Sequence, residues 1–231
     1  MPRMSPIDFR SFDALTFDCY GTLIDWESGL LAALRPFARD AGDDVLLEAF
    51  ARHEARLESG PYLPYKDVLA GCLRALGDEL GFAASDEQQA AFGQSVRDWP
   101  AFADSPDALV RLKTRFKLAV ITNCDDDLFA ASNERLGVQF DWIVTAEQAR
   151  GYKPRTENFE YAFERIDVPR ERILHVAQSL FHDHVPAKAL GMTTVWIDRR
   201  QGRAGAGATP PANAQPDLTT PDLKTFADLA T

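Results

Sequence analysis

Two patterns of apolar and polar residues divide the chain into segments that predict different structures. From about residue 104 onward, short runs of strand-forming residues alternate with stretches whose apolar residues recur every three or four positions. This alternation is typical of parallel β-strands joined by helices. An earlier run, Ala14–Asp18, predicts a first strand that is buried on both faces. The later part predicts the strands Lys117–Thr122, Trp142–Thr145, Ile173–Ala177 and Thr193–Ile197 and the helices Pro106–Arg115, Asp125–Leu136, Thr156–Arg165, His184–Leu190 and Pro221–Leu229.

Between these two parts, residues 26–103 show the helical period with few strand candidates. The fold class predicted from the whole pattern is α/β. Residues 1–25 and 104–231 would form a Rossmann-like parallel-sheet core, and residues 26–103 an inserted all-helical cap. Gln201–Gln215, rich in Gly, Ala and Pro, is predicted to be a flexible loop. The cap helices are predicted as Glu27–Asp40, Asp43–Ser59, Tyr65–Gly81 and Ser85–Asp98.

Composition and charge narrow the function classes. Asp and Glu number 35 against 25 Lys and Arg, a net charge of −10, and no basic stripe with interleaved aromatic residues is present. Nucleic-acid binding is therefore not expected. No apolar run reaches the ~18 residues of a membrane span, and Met1–Arg10 lacks the apolar core of a secretory signal. The odd number of cysteines, Cys19, Cys72 and Cys124, favours a reducing cytoplasm over a disulfide framework.

Polar side chains follow several of the predicted strands. Asp18 ends the first strand and is followed at once by a Gly21-Thr22 turn, and Thr122-Asn123 and the run 177–183 end two later strands. In parallel sheets the chemistry lies beyond the carboxyl ends of the strands. These residues are therefore the first candidates for a functional site.

Four segments together resemble a known family. Asp18-x-Tyr20-Gly21-Thr22, Thr122-Asn123, Tyr152-Lys153-Pro154 and Gln178–Asp183 are similar, in order and separation, to the four motifs of the haloacid dehalogenase superfamily. Phosphatases of that superfamily carry a second acid two residues after the first Asp and a metal-binding acid in the fourth motif. Here those places hold Tyr20 and Gln178, and a neutral amide is a poor ligand for a hard cation. The chain most resembles the 2-haloacid dehalogenase (type II) branch, for which we expect no metal and no cofactor.

The resemblance implies a mechanism with four catalytic residues. Asp18 would attack the carbon that bears the halogen and form an ester, which water then hydrolyses. Lys153 would keep Asp18 ionised and oriented, and Thr22 would receive carboxylate or oxyanion charge. Asp183 would orient the hydrolytic water or pair with Lys153. The expected partner is a short anionic substrate, and relatives of this branch suggest a homodimer.

The same resemblance implies which residues contact the substrate. Thr122 and Asn123 would bind the substrate carboxylate or the halide, with Ser179 from the fourth motif beside them. Tyr20 and Phe181 would supply apolar walls that weaken the solvation of the halide. Arg56, six residues before Tyr62 as in the branch, would stabilise the halide or clamp a carboxylate; its alternative is a solvated helix face beside Glu54 and Glu58.

Some observations keep other hypotheses open. The chain has Phe159 where the branch has a Tyr six residues after the motif Lys, and its fourth motif is altered. A hydrolase of another electrophilic carbon, such as a strained-ring amino acid, a small-molecule phosphatase and a non-catalytic relative are the alternatives. A metal at His182-Asp183-His184 is disfavoured because adjacent side chains diverge. Catalysis by Cys19 or Cys124 is disfavoured because neither has a sequence-local His.

Overall fold

A computed structural model describes residues 7–202 and 207–231. Its centre is a parallel sheet of six strands in the order β3-β2-β1-β4-β5-β6. The strands are β1 (Ala14–Phe17), β2 (Lys117–Thr122), β3 (Trp142–Thr145), β4 (Ile173–Ala177), β5 (Thr193–Ile197) and β6 (Leu218–Thr220).

The first strand of the chain lies in the middle of the sheet. β1 pairs with β2 on one side and with β4 on the other, and Phe17 is opposite both Val120 and Val176. The chain order of the strands therefore reverses at β1, which is where an open parallel sheet leaves a crevice at its carboxyl edge. Asp18, the next residue, lies at the mouth of that crevice.

Helices cover both faces of the sheet, and the central strands β1 and β4 are buried along their whole length. In β1, Leu15 and Phe17 belong to one buried cluster and Ala14 to a second, as the period of two along a strand requires. The core helices are α5 (Ser105–Lys113), α6 (Asp126–Leu136), α7 (Ala146–Ala149), α8 (Glu157–Phe163), α9 (Val185–Ala189) and α10 (Leu223–Ala230).

The segment between β1 and α5 is helical in the structure, as the sequence predicts. Its helices are α1 (Trp26–Leu34), α2 (Asp43–Glu58), α3 (Tyr65–Leu80) and α4 (Asp86–Gln94), followed by a 3₁₀ turn over Ser95–Asp98. Ser85 begins α4 with a reciprocal capping box to Gln88. Gly81 ends α3 at a φ of 79°, a left-handed conformation that favours glycine. We use the word cap for residues 26–98, and the division of the chain into two domains stays a prediction.

Two short linkers join the cap to the sheet and run side by side. Ile24 forms an antiparallel bridge with Ala101. The Asp25 amide donates to the Pro100 carbonyl at 2.8 Å, and the Phe102 amide donates to the Leu23 carbonyl at 3.0 Å. The entry and exit of the cap are thus held by one small ladder.

The cap is also tied to the sheet edge by contacts that no local pattern predicts. Asp125, buried before α6, accepts the Tyr65 amide at 2.8 Å and the Lys66 amide at 3.0 Å, so it caps α3 from another part of the chain. Arg155 donates to the carbonyl of Glu58 at 2.8 Å at the end of α2. These bonds place one end of α2 and α3 against the carboxyl edge of the sheet.

The structure differs from the predicted elements in a few places. α1 ends at Leu34 rather than at residue 40, and the short elements α7 and β6 were not predicted. A π-helical turn, Leu180–His184, precedes α9, where the sequence predicts a helix from residue 184. Four residues of the predicted loop 201–215, residues 203–206, lie outside the described residues, as do residues 1–6. Within the described ranges, no helix has the length and apolarity needed to cross a bilayer.

Candidate active site

Asp18 lies directly after β1 with 6% of its surface exposed. The Thr22 hydroxyl donates to Asp18 Oδ2 at 2.7 Å and accepts the backbone amide of Gln178 at 2.9 Å. The turn between them needs glycine: Gly21 has a φ of 92°, and a Cβ there would lie 3.0 Å from Trp26 and 3.1 Å from Gln178. The turn therefore fixes one oxygen of the Asp18 carboxylate and leaves the other to a cation.

That cation is Lys153, only 1% exposed. Its Nζ donates to Asp18 Oδ1 at 2.9 Å, to Asp183 Oδ1 at 2.6 Å and to the Ile121 carbonyl at 2.9 Å. An ammonium has three donors, so all three are used. The structure brings the predicted catalytic residues Asp18, Thr22, Lys153 and Asp183 into one hydrogen-bonded group.

Asn123 holds the backbone of Lys153 in place. Its Oδ1 accepts the Lys153 amide at 2.8 Å and its Nδ2 donates to the Lys153 carbonyl at 3.0 Å. The second Nδ2 hydrogen faces Glu58 Oε2 at 3.4 Å. The Asn123 amide thus positions the lysine, a role different from the predicted contact with a substrate carboxylate or halide.

A buried histidine supports Asp183 from behind. His175, inside β4, contacts Asp183 Oδ1 through Nε2 at 3.2 Å and the Thr16 hydroxyl through Nδ1 at 2.9 Å. The ring also packs edge-on against Phe159, with centroids 5.1 Å apart. Phe159, which lacks the hydroxyl of the branch's Tyr, therefore serves to pack His175.

The charges of Asp18, Lys153 and Asp183 shift one another's pKa values. Burial raises the pKa of Asp18, while the charge of Lys153 and the Thr22 hydrogen bond oppose that rise. Burial also disfavours the charge of Asp183, but Lys153 and His175 outweigh it and lower the pKa of Asp183 below its usual range. Burial likewise works against the Lys153 charge, yet Asp18 and Asp183 raise the pKa of its ammonium. Lys153 is therefore charged throughout the physiological range.

A small cavity of about 40 Å³ lies over Asp18. A single water needs about 10–15 Å³ measured in this way, so the space suits a few atoms. Both the sheet edge and the cap contribute walls. The lining residues are Asp18, Tyr20, Trp26, Glu54, Glu58, Tyr65, Asn123, Lys153, Ser179, His182, Asp183 and Thr209.

The cap side of this cavity is acidic. Glu54 and Glu58, one turn apart on α2, are 4% and 7% exposed. Tyr65 donates its hydroxyl to Glu54 Oε1 at 2.7 Å. Burial raises the pKa of Glu54 to about 7 and, with the nearby charge of Glu54, raises the pKa of Glu58 well above its usual range.

The structure does not place Arg56 at the cavity over Asp18, so its contact with the substrate stays a prediction that this arrangement does not support. Its side chain is exposed and does not line the cavity. At 3.6 residues per turn, a residue two positions from Glu54 and two from Glu58 points to roughly the opposite side of α2. Arg56 lies on a solvated helix face, as the alternative interpretation of the sequence has it, but Glu54 and Glu58 are buried rather than solvated with it.

The other predicted substrate contacts divide into two groups. Tyr20 and Ser179 line the cavity, and the Tyr20 hydroxyl is 3.0 Å from Ser132 and 3.3 Å from Cys124. The Thr122 hydroxyl is buried with no hydrogen-bond partner among the described residues, and it does not line the cavity. Phe181 packs edge-on against His182 at 4.9 Å, also away from the cavity wall, so the predicted apolar wall is missing on that side.

The donors near Asp18 do not fit magnesium. Both Asp18 oxygens already accept hydrogen bonds, one from Lys153 and one from Thr22. The Lys153 ammonium, which also donates to Asp183, places a positive charge where a metal ion would need to lie. Gln178, in the place of the fourth-motif acid, offers an uncharged amide. In the part of the chain that the structure describes, no group of three His, Cys, Asp or Glu side chains is arranged to hold a metal ion.

The three candidate side chains at 182–184 have separate partners. His182 contacts Ser179 at 3.1 Å, Asp183 binds Lys153, and His184 contacts the Ala177 carbonyl at 3.0 Å. Burial lowers the pKa of His182 and of His184 to about 4, so both rings are neutral at physiological pH.

The two cysteines beside the motifs are buried, and burial raises the pKa of both thiols. A thiol rather than a thiolate is a poor nucleophile. Neither Cys19 nor Cys124 lines the cavity over Asp18.

Comparison with known proteins agrees with this geometry. A family model described as a haloacid dehalogenase-like hydrolase matches residues 12–189. An (S)-2-haloacid dehalogenase of Pseudomonas putida is 26% identical over 200 residues, 84% of this chain and 87% of the relative. A 5-amino-6-(5-phospho-D-ribitylamino)uracil phosphatase of Escherichia coli is 27% identical over 210 residues, 82% of this chain and 84% of the relative.

The predicted fold class is confirmed by a solved structure. The L-2-haloacid dehalogenase of Xanthobacter autotrophicus with chloropropionic acid covalently bound matches with a TM-score of 0.80 at 20% identity. The match covers 94% of this chain and 98% of that chain.

Proposed function

The chain belongs to the haloacid dehalogenase-like hydrolases, and we propose that it cleaves the carbon–halogen bond of short 2-haloacids through a covalent ester on Asp18. The observation that carries this proposal is the pairing of Asp18 with Lys153 and Thr22 at a small cavity. The P. putida relative of this chain is an (S)-2-haloacid dehalogenase. Each of the four motifs that resemble that branch contributes to the cavity wall, through Asp18 and Tyr20, Asn123, Lys153, and Ser179 and Asp183.

In the first step, an oxygen of Asp18 attacks the carbon that bears the halogen. The new C–O bond forms as the carbon–halogen bond breaks, and the halide leaves with the bonding electron pair. The buried carboxylate is held by fixed donors from Lys153 and Thr22, which favours attack from one geometry. No proton needs to reach the leaving group.

In the second step, water attacks the ester carbonyl of Asp18, which releases the 2-hydroxy acid, restores the carboxylate and yields one proton. Lys153 and Thr22, already bonded to the two Asp18 oxygens, are placed to stabilise the oxyanion. Asp183 lines the cavity, and its Oδ2 has no hydrogen-bond partner within the described ranges. That free oxygen is a suitable acceptor for the attacking water.

Phosphate-ester hydrolysis is the main competing function, since a phosphatase is among the relatives. Two observations weigh against it. Tyr20 stands where phosphatases have a general acid, and its hydroxyl is engaged with Ser132 and Cys124. The donor set around Asp18 also does not fit the divalent ion that this chemistry uses.

The experiment measures halide release from chloroacetate, bromoacetate and both 2-chloropropionate enantiomers in the presence of a chelator. Asp18→Asn is expected to lower the rate by at least about 10⁴-fold, whereas the exposed Asp107→Asn serves as a matched control and keeps full activity. Turnover in ¹⁸O-water should place the label in the peptide that contains Asp18. Halide release that survives in Asp18→Asn, or magnesium-dependent hydrolysis of a phenyl phosphate in place of halide release, would overturn the proposal.

Two coarser expectations are part of this proposal. The cysteines of the described residues are free and buried, which supports a reducing compartment such as the cytoplasm. A homodimer is the predicted assembly, and light scattering on the purified protein tests it.

A further inference from the structure

The cap wall of the cavity is built from two glutamates that no motif identifies. Glu54 and Glu58 lie one turn apart on α2, each more than nine-tenths buried, and both face the space above Asp18. Buried carboxylates are uncommon unless they are paired with a cation or bind a ligand. Their surroundings therefore decide what the cavity accepts.

The positive charges of Lys153 and Arg155 act on Glu58 only from beyond ion-pair distance. Neither glutamate has an ion pair with Lys, Arg or His in the residue ranges described. The nearest lysine, Lys153, uses its three donors on Asp18, Asp183 and a backbone carbonyl. Arg155 donates to the backbone carbonyl of Glu58 and not to its carboxylate.

Only one oxygen of each of these two carboxylates accepts a hydrogen bond from the described residues. Glu54 Oε1 accepts the Tyr65 hydroxyl at 2.7 Å, and Glu58 Oε2 receives a long hydrogen bond of 3.4 Å from Asn123. The second oxygen of each carboxylate has no hydrogen-bond partner in the described part of the chain. Asp183 Oδ2, fully buried in the opposite wall, is also without a partner there. A buried acceptor without a donor is costly, so Asp183 Oδ2 favours a bound molecule that donates to it. The second oxygens of the two glutamates are free to accept from the same molecule.

The remaining walls also suit a cation. Tyr20, Trp26 and Tyr65 line the same cavity. The faces of aromatic rings attract ammonium groups, and more strongly when water is excluded. Carboxylates with free oxygens and aromatic walls in one small cavity form an environment in which an ammonium is favoured over a methyl group of the same size.

We propose that Glu54 and Glu58 form a subsite for a protonated amine of the substrate, so that the preferred substrate is a short haloacid that also carries an ammonium group. This inference rests on the proposed function of Asp18 and specifies the substrate class of the same site. A haloacid with a carboxylate alone would add negative charge beside Asp18 and Asp183, which share the cation Lys153. It would also leave Glu54 and Glu58, whose ionised forms burial disfavours, without a counter-charge. An ammonium on the substrate favours the ionised glutamates and donates to their free oxygens.

Two substrates of equal size test the proposal. 3-Amino-2-chloropropionate and 2-chlorobutyrate have the same number of heavy atoms and the same carbon–chlorine bond, and they differ only in an ammonium against a methyl group. The kcat/KM for chloride release is expected to be at least tenfold higher for the amine. Equal values for the two compounds, or a preference for 2-chlorobutyrate, would refute the subsite.

Variants locate the preference on the cap. Glu54→Gln and Glu58→Gln keep the shape of each side chain and remove its charge, and each is expected to lower kcat/KM for the amine by at least tenfold without lowering it for 2-chlorobutyrate. Glu48→Gln, an exposed glutamate on the same helix, is the matched control and should leave both values unchanged. A loss that is equal for both substrates would show a structural role and would refute the subsite.

A binding measurement keeps the test independent of turnover. Calorimetry compares wild-type protein with 3-aminopropionate and with butyrate, which lack a leaving group. We expect the amine to bind at least tenfold more tightly, and this difference to vanish in Glu58→Gln. If no chloride is released from either haloacid and Asp18 is never labelled, the proposed function fails, and the binding difference still decides the subsite.

Discussion

The imidazole Nε2 of His175 lies 3.2 Å from Oδ1 of Asp183, so a side chain from the interior of the sheet supports a carboxylate of the cavity. Thr16 holds the other ring nitrogen at 2.9 Å. The contact continues through Lys153 to Asp18. The nucleophile is therefore the last member of a hydrogen-bonded chain that begins inside the protein, and such chains hold their members in one geometry.

The role of Asp183 predicts which step fails when it is changed. Asp183→Asn keeps the shape but removes the acceptor charge, so hydrolysis of the Asp18 ester should slow by about 10²- to 10⁴-fold. The first displacement should persist, giving one burst of halide and an accumulated ester. Mass spectrometry of acid-quenched protein detects that ester. A slow reaction with no trapped ester would place Asp183 in the first step instead.

Removal of the Lys153 charge should destabilise the protein as well as inactivate it. Lys153→Met leaves Asp18 and Asp183 buried without their cation, and breaking a buried pair in this way costs about 3–5 kcal/mol. Urea denaturation at pH 7 measures the change in the free energy of unfolding. The exposed Lys224→Met, at an ion pair on α10, should leave the free energy of unfolding nearly unchanged. Equal effects for the two variants would contradict the assignment.

The Tyr20 hydroxyl should be dispensable for halide release. It contacts Ser132 and Cys124, and a departing halide needs no proton. Tyr20→Phe is therefore expected to keep the rate within about threefold, far from the ~10²-fold loss that follows removal of a general acid. A loss of that larger size, measured by chloride release at several pH values, would favour proton transfer from Tyr20.

The Glu54 carboxyl predicts how stability changes with pH. Its pKa of about 7 in the folded protein lies above the ordinary value of 4.5, so folding favours the protonated form. The stabilisation is complete below pH 4.5 and is lost as the pH rises through about 7. Glu54→Gln, which cannot ionise, should therefore be more stable than wild type at pH 8 by about 2 to 3 kcal/mol and similar to it at pH 5.

Denaturation of both proteins at pH 5 and pH 8 checks this prediction. Glu48→Gln, changed at an exposed position of α2, should follow wild type at both pH values. A Glu54→Gln variant that is less stable than wild type at pH 8 would mean that folding stabilises the ionised form of Glu54, so that its pKa is not raised in the folded protein.

The centre of the site could be predicted from the sequence because Asp18 directly follows a strand and because Lys153 and Asp183 belong to recognisable motifs. β1 ends in Asp18, and the motif order placed Lys153 and Asp183 at the same edge of the sheet. A parallel sheet brings the ends of its strands together whatever their separation in the chain. His175 left a weaker signal, a histidine within an otherwise apolar strand, which marks a buried polar group that needs partners.

The residues that the cap contributes to the cavity could not be predicted, because they depend on the rotation of α2 about its own axis. Arg56, Glu54 and Glu58 share one helix, and the sequence alone does not say which face of a partly polar helix meets the sheet. That face is set by contacts distant in the chain, such as the Asp125 cap of α3 and the Arg155 contact with α2. Short elements such as β6, with only three residues, carry too little pattern to be recognised.

The paired linkers at Ile24 and Ala101 connect the cap to the sheet. One wall of the cavity comes from the sheet and the other from the cap, so the angle at which these linkers hold the two parts helps to set the space over Asp18. A change in this ladder would therefore alter which compounds fit, without any change in the residues that touch them.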